Sequence, residues 1–161
     1  MAGAKRFSRF ALAGAGLAAA LTATATAIVV ASGGDSHAAA RLSVADPYIP
    51  LPAGADQMAA GYLTVTNAGR GADRLVRVSS PGASSVTMHR STESSMESVD
   101  GLEVPAEGAL TLTRGGTHLM IMGWKQPPAV GDQLELDLTF EKAGTIAVQV
   151  PVKPLTYRPG S

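Results

Sequence analysis

The stretch QLELDLTF at residues 133–140 places Leu134, Leu136, Leu138 and Phe140 at every second position, with polar residues between them. Side chains alternate between the two faces of a β-strand, so this spacing predicts a strand with all four apolar side chains on one buried face. After residue 40, helical periodicity is hard to find, and short β-prone runs alternate with clusters of Gly, Pro, Asn and Asp. The predicted strands span 42–49, 59–67, 73–80, 84–90, 96–104, 109–113, 117–123, 133–141 and 145–153.

Strands of this number and spacing decide the fold class. A length of 161 residues fits one domain. Many short strands separated by turn residues are typical of antiparallel sandwiches and barrels. The sequence therefore predicts an all-β domain, either a β-sandwich or a Greek-key barrel.

The first forty residues have a different composition and are set apart from this domain. Lys5, Arg6 and Arg9 form a basic start, a long uncharged Ala-rich run follows, and Ala38 and Ala40 place small residues before position 41. This order predicts a secretory signal peptide over 1–40 and an exported domain over 41–161. An uncleaved membrane anchor over the same forty residues is the alternative. A lipid anchor is not expected, because no cysteine lies near the predicted cleavage site.

Charge and cysteine content exclude several classes of function. Three of the thirteen basic and one of the thirteen acidic residues lie in the first forty, which leaves ten basic and twelve acidic groups afterwards. This slightly negative balance, without clustered Lys or Arg, argues against a nucleic-acid partner. With no cysteine in the chain, disulfides, thiolate ligands and thiol nucleophiles are all excluded.

Two segments carry side chains suited to a metal. GGTHLMIMGW at 115–124 places His118, Met120 and Met122 at alternate positions, hence on one face of a strand. VTMHRSTESSMESV at 86–99 places His89 and Met96 near the two ends of a hairpin turn. Together they offer two imidazoles and two or more thioethers, with no carboxylate among them.

This ligand mixture has a definite chemical preference. Thioethers are soft, neutral donors that suit Cu(I), whereas zinc prefers Cys, His and carboxylate, and calcium needs oxygen ligands. A blue-copper site is excluded because it requires a cysteine. The residues therefore predict a Cu(I) site suited to transfer rather than to storage.

Several stretches resemble the periplasmic copper chaperones known as PCu(A)C: MHRSTESSM (88–96), GLEVPAEGALTLTRGGTHLMIMG (101–123) and YLTVTN (62–67). The family pattern is a His, a Met, about twenty-one residues, and then His-x-Met on a cupredoxin-like barrel. The resemblance implies that one Cu(I) is bound by His89, Met96, His118 and Met120. Only six residues separate His89 from Met96 here, against about ten in the family, so Met88 could replace His89. Met88 and His89 point to opposite faces of a regular strand, and His89 is the predicted ligand.

The resemblance also implies a function. Family members bind Cu(I) outside the cytoplasm and deliver it towards the dinuclear copper centre of cytochrome c oxidase, often alongside a thioredoxin-like partner. The chain would then be a carrier and not an enzyme, with a cytochrome c oxidase subunit or a thioredoxin-like copper protein as the recipient. The C-terminal PLTYRPGS lacks the His/Met-rich tail that some members carry.

Other interpretations remain open at this point. A secreted copper enzyme with a histidine brace needs a histidine at its mature N-terminus, which would require cleavage just before His37. A hydrolase is disfavoured because no Gly-x-Ser-x-Gly motif is present. An exported interaction or scaffold sandwich without metal predicts that the four ligands do not converge. Met122 is expected to pack beneath the site, Met58 to lie on a loop or strand edge, and Trp124 to cap the barrel end or shield the site.

Overall fold

The computed structural model describes residues 31–32, 39–54 and 57–160, and every regular element within these ranges is a β-strand. In chain order the strands are β1 Ala31–Ser32, β2 Arg41–Pro50, β3 Ala59–Asn67, β4 Asp73–Ser79, β5 Ala83–Ser91, β6 Met96–Ser98, β7 Leu102–Val104, β8 Gly108–Thr111, β9 Thr117–Trp124, β10 Gln133–Phe140 and β11 Gly144–Lys153.

The strands form one curled sheet. Its strand order is β6-β5-β9-β3-β2-β11-β10-β4-β7, with β1 added to β2 and β8 added to β3. The two ends of this path, β6 and β7, are joined by a short segment between Ser98 and Leu102. The sheet thus folds back on itself as a half-barrel, and its inner face holds the core.

The predicted face of β10 is confirmed in the core. Leu136 and Leu138 are fully buried, and Leu134 and Phe140 are 6% and 2% exposed. The same inner face takes alternate residues from the neighbouring strands, because each strand presents every second side chain to the core. Polar residues occupy the intervening positions, so one face of β10 packs in the core and the other faces solvent.

Three features depart from the expected strands. The run predicted over 96–104 is divided into β6 and β7, because the chain leaves β5 after Ser98 and joins β4 at Leu102. The pair between β11 and β2 is parallel, through Val152 with Ile49 and Lys153 with Pro50. Strand β1 was not expected, since it falls within the forty residues assigned to a signal segment.

The remainder of that segment, residues 1–30 and 33–38, lies outside the described residues, so the boundary at residue 40 stays a prediction. Among the residues that the structure describes, no helix has the length and apolar character needed to cross a membrane.

Candidate metal centre

The two faces of β9 carry different kinds of side chain. Leu119 and Ile121 are fully buried in the core, as period-two alternation predicts. His118, Met120 and Met122 lie on the opposite, outer face of the sheet; Met120 and Met122 are partly exposed and His118 is 6% exposed.

The register between β5 and β9 brings the two histidines together. His89 is directly opposite His118, and Thr87 is directly opposite Met120. The two imidazole rings are nearly parallel, at 19°, and their centroids are 5.9 Å apart. Directly opposed residues of an antiparallel pair project to the same face, so both rings belong to the outer face that carries Met120.

A backbone carbonyl fixes the proton on His118. Nδ1 of His118 lies 3.0 Å from the carbonyl oxygen of Gly116. A carbonyl can only accept, so Nδ1 carries the proton and donates it, and in the neutral ring the lone pair is on Nε2. The carbonyl is held in place by a turn in which Gly116 N donates to Thr113 O and Thr113 N donates to Thr117 O.

His89 has one satisfied and one unsatisfied ring nitrogen. Nε2 lies 2.8 Å from Oγ1 of Thr87, two residues earlier on the same face. Nδ1 is buried and has no hydrogen-bond partner among the described residues. A buried polar atom without a partner is costly, so this nitrogen is suited to receive a ligand.

The two predicted thioether ligands lie at different distances from the histidine pair. Met120 follows His118 by two residues on β9, so it is the next side chain on the same face. Met96 lies on edge strand β6 opposite Ser91, two residues beyond His89, and is 54% exposed. Pairing to β5 gives Met96 the same face as His89, but β5 separates it from β9. The sheet therefore groups His89, His118 and Met120 on adjacent strands and leaves Met96 at the edge.

The remaining sulfur and indole groups have distinct surroundings. Met88 is 6% exposed and lies in the core opposite Leu119, on the other face of β5 from His89. Met122 lies opposite Ser85 on the outer face. Trp124 is partly buried and packs against the hydrophobic core.

Within the described residues, no group of three or more His, Cys, Asp or Glu side chains could hold a metal. Beside the histidine pair, the next side chain with a donor atom along β9 on the same face is Met120. Thioether sulfur is a donor that favours a soft ion.

Two contacts at this face were not predicted from the sequence. The hydroxyl of Thr87 could have been anticipated, because period two places it on the same face as His89. The Gly116 carbonyl could not, because its position depends on the turn geometry. Met58 was expected on a loop or strand edge, and it lies directly before β3 with 47% of its surface exposed.

Comparison with solved structures gives the same fold. The copper-bound PCuAC domain from PmoF2 superposes with a TM-score of 0.62 and 26% identity, over 70% of this chain and 92% of that domain. The CuI-DR1885 structure from Deinococcus radiodurans gives a TM-score of 0.59 and 30% identity, over 71% of this chain and 78% of that one. The expected cupredoxin-like fold is thereby confirmed, and these structural neighbours are copper-binding domains of the kind that the sequence resembles.

Sequence comparison identifies a relative and a family. A protein of Leifsonia xyli subsp. xyli (strain CTCB07), described as "Putative lipoprotein Lxx21020", is 36% identical over 101 residues. That match covers 60% of this chain and 61% of the relative, so the chain spans less than two thirds of that protein's length. The family model described as "Putative lipoprotein LpqE-like" matches residues 42–152, well over half of the chain. The chain belongs to the LpqE-like family.

Proposed function

We propose that this protein is an extracytoplasmic copper carrier that binds one Cu(I) at the outer face of β5 and β9. The proposed ligands are His89, His118, Met120 and Met96. The observation that carries the proposal is the directly opposed histidine pair with Met120 as the next side chain on its face. Copper bound by the similar domains supports the choice of metal.

The hydrogen bonds of the two imidazoles fit a metal site. Histidines that bind metals usually donate the other ring N–H to a carbonyl or another acceptor, which fixes the tautomer and the ring orientation. His118 does this through Gly116, leaving Nε2 for the ion. For His89, donation from Nε2 to Thr87 leaves the buried, unpartnered Nδ1 as the ligand atom.

Sheet geometry ranks the two sulfur ligands. Methionine sulfur lies about 4 Å from its Cα, and a metal–sulfur bond adds about 2.3 Å, so a ligating Met needs its Cα within about 6 Å of the ion. With strands about 4.8 Å apart and about 3.3 Å per residue, Met120 lies about 7 Å along the sheet from the middle of the histidine pair. An ion about 4 Å above the sheet therefore reaches all three ligands when it is displaced by about 2.5 Å from the middle of the pair towards Met120.

Met96 lies further from the same point. The same spacings put its Cα about 10 Å from the middle of the histidine pair, on the side opposite to Met120, so an ion displaced towards Met120 lies further still from Met96. Its participation therefore requires the hairpin of β5 and β6 to bend towards His89. The hairpin turn is short and held by Thr92 N donating to Ser95 O at 2.7 Å. We accordingly assign the first three ligands to the stable site and Met96 to a closing ligand that can enter and leave.

This arrangement suits a carrier rather than an enzyme. Neutral thioethers hold Cu(I) without a proton exchange. The exposed Met96 at the sheet edge gives an incoming partner a coordination position to take. The proposed recipient is a copper protein of the respiratory chain assembly, either a cytochrome c oxidase subunit or a thioredoxin-like copper protein.

An extracytoplasmic location is part of the proposal. The lipoprotein descriptions of the family and of the Leifsonia relative support export and attachment to a membrane. Attachment through a lipidated cysteine has no acceptor in these 161 residues. We therefore assign export, and any membrane attachment, to the Ala-rich segment within 1–40.

The alternative is an exported interaction domain that binds no metal. It explains an exposed Met120, but it gives no role to the buried Nδ1 of His89 or to two stacked imidazoles. It predicted that the four residues would not converge, and three of them lie on adjacent strands.

The test is anaerobic titration of Cu(I) against a chromophoric chelator, with the parent protein and the double variant His118→Ala, Met120→Ala. We expect one tight equivalent in the parent and its loss in the variant, with unchanged circular dichroism. The matched control is His37→Ala, which removes the third histidine and should leave binding intact. No competition by the folded parent would reject the copper site, and loss of binding in His37→Ala would favour the histidine-brace alternative.

A further inference from the structure

Two methionines of the outer face have no part in the proposed site. Ala60 pairs with Met120 and Ala59 pairs with Ile121, where β3 begins, and Met58 directly precedes Ala59. Extending the same antiparallel register by one residue puts Met58 beside Met122. Met58 is 47% exposed, and Met122 is partly exposed on the same face as Met120. With the register extended in this way, three thioethers lie side by side outside the core.

The side chains around these three methionines, called the methionine trio below, are small. Ala60 lies opposite Met120 from β3, while Thr87 and Ser85 lie opposite Met120 and Met122 from β5. Small neighbours leave the thioethers accessible from solvent. A methionine used as core filler is instead buried, as Met88 is at 6% exposure.

The spacing of the trio allows one ion to reach all three sulfurs. With about 4.8 Å between strands and about 3.3 Å per residue, the three Cα positions form a right-angled triangle with short sides of about 5 and 7 Å. One point in the plane of the sheet is then about 4 Å from each corner. An ion about 4 Å above this point lies just under 6 Å from every Cα, which is within the reach of a methionine ligand.

From this placement we propose a second soft-metal site formed by Met58, Met120 and Met122, which takes Cu(I) through thioether sulfur alone. The proposal rests on the proposed function in one respect, since Met120 is shared with the histidine site. Sharing lets an ion move from one site to the other by exchanging ligands around Met120, without release into solvent. The second site lacks imidazole, so it is the weaker of the two.

The experiment uses the full-length protein with [methyl-¹³C]methionine, titrated anaerobically with Cu(I) up to two equivalents and followed by NMR. The chain has six methionines, so each methyl signal can be assigned by substitution with leucine. We expect the first equivalent to shift Met120 and Met96. The second should shift Met58 and Met122, with the sulfur of Met120 bridging the two ions through its two lone pairs. Met88 serves as the internal control, because a buried core methyl should not move.

Two variants separate this site from the histidine site. In His89→Ala, His118→Ala the histidine site is removed, and the first equivalent should shift Met58, Met120 and Met122. In Met58→Leu, Met122→Leu the first equivalent should bind as in the parent, and the second should be lost. Leucine has similar volume, so both chains should keep their fold.

The outcomes are distinguishable. Unmoved methyl signals of Met58 and Met122 at two equivalents, in the parent and in the histidine variant, would overturn the second site and leave these residues as an apolar docking surface. If the histidine variant binds two equivalents like the parent, the proposed function fails in its ligand assignment while the thioether site stands.

Discussion

The most demanding test of the fold concerns Asn67, a buried amide at the end of β3 that is 1% exposed. Its Oδ1 accepts from the backbone N–H groups of Arg41 and Gly69, both at 2.9 Å. Its Nδ2 donates to the carbonyls of Gly71 at 2.8 Å and Pro105 at 3.1 Å. One side chain therefore joins the start of β2, the loop after β3 and the loop after β7.

Replacing Asn67 with Ala leaves all four backbone groups without this partner. The bonds to Gly69 and Gly71 are buried, and an unsatisfied buried polar group costs about 1–3 kcal/mol. The bonds to Arg41 and Pro105 are partly buried and add less, since water can replace the amide. We expect the free energy of unfolding to fall by about 3–5 kcal/mol, a large share of the 5–15 kcal/mol typical of a domain.

Urea denaturation followed by circular dichroism measures this loss. With an m-value of about 1.5 kcal/mol/M, the midpoint should move down by about 2–3 M. The matched control is Gln149→Ala, which removes an exposed amide that donates to Glu135. That change should cost less than about 1 kcal/mol. If Asn67→Ala costs no more than Gln149→Ala, the reasoning about this buried amide is wrong.

Two further predictions concern the site and the outer face. Thr87→Val keeps the side-chain shape but removes the hydrogen-bond partner of His89 Nε2, so the Cu(I) affinity should fall about 10–100-fold in chelator competition. The control Thr139→Val is remote from the site and should leave the affinity unchanged. Equal affinities of the two variants would show that this hydrogen bond does not orient the ring. Burial raises the pKa of Tyr62 above its usual 10, against the opposing charge of Arg114, so the folded state holds this proton more tightly than the unfolded chain. The contribution of this proton to stability is complete below the pKa of Tyr62 in the unfolded chain and declines as the pH rises through its pKa in the folded state. Above a pH of about 10, the urea midpoint should therefore fall less steeply with pH in Tyr62→Phe than in the parent. Parallel slopes would contradict the assignment.

The strands were predictable because their signal is local. Alternation in residues 133–140 identified the inner face of β10, and the nine predicted runs overlap ten of the eleven strands in the described residues. The face carrying His118, Met120 and Met122 followed from the same period of two. The opposite faces of Met88 and His89 did too.

Pairing between distant strands was not predictable, because periodicity within a strand carries no information about its neighbours. The direct opposition of His89 and His118 and the parallel pair of β11 with β2 both depend on such pairing. The division of 96–104 has the same origin, since its two halves pair with different strands. The sequence motif therefore named four donors, while the register separates Met96 from the other three.

The bond from His118 Nδ1 to the Gly116 carbonyl has a consequence for the kinetics of loading. The proton of the neutral ring is already on the nitrogen that faces the backbone, so an ion arriving at Nε2 displaces no proton there. Capture and release at this ligand need neither a base to collect a proton nor an acid to return one. In the proposed carrier, the rate of copper exchange at His118 then depends on the encounter of the two proteins and on the order in which their ligands attach.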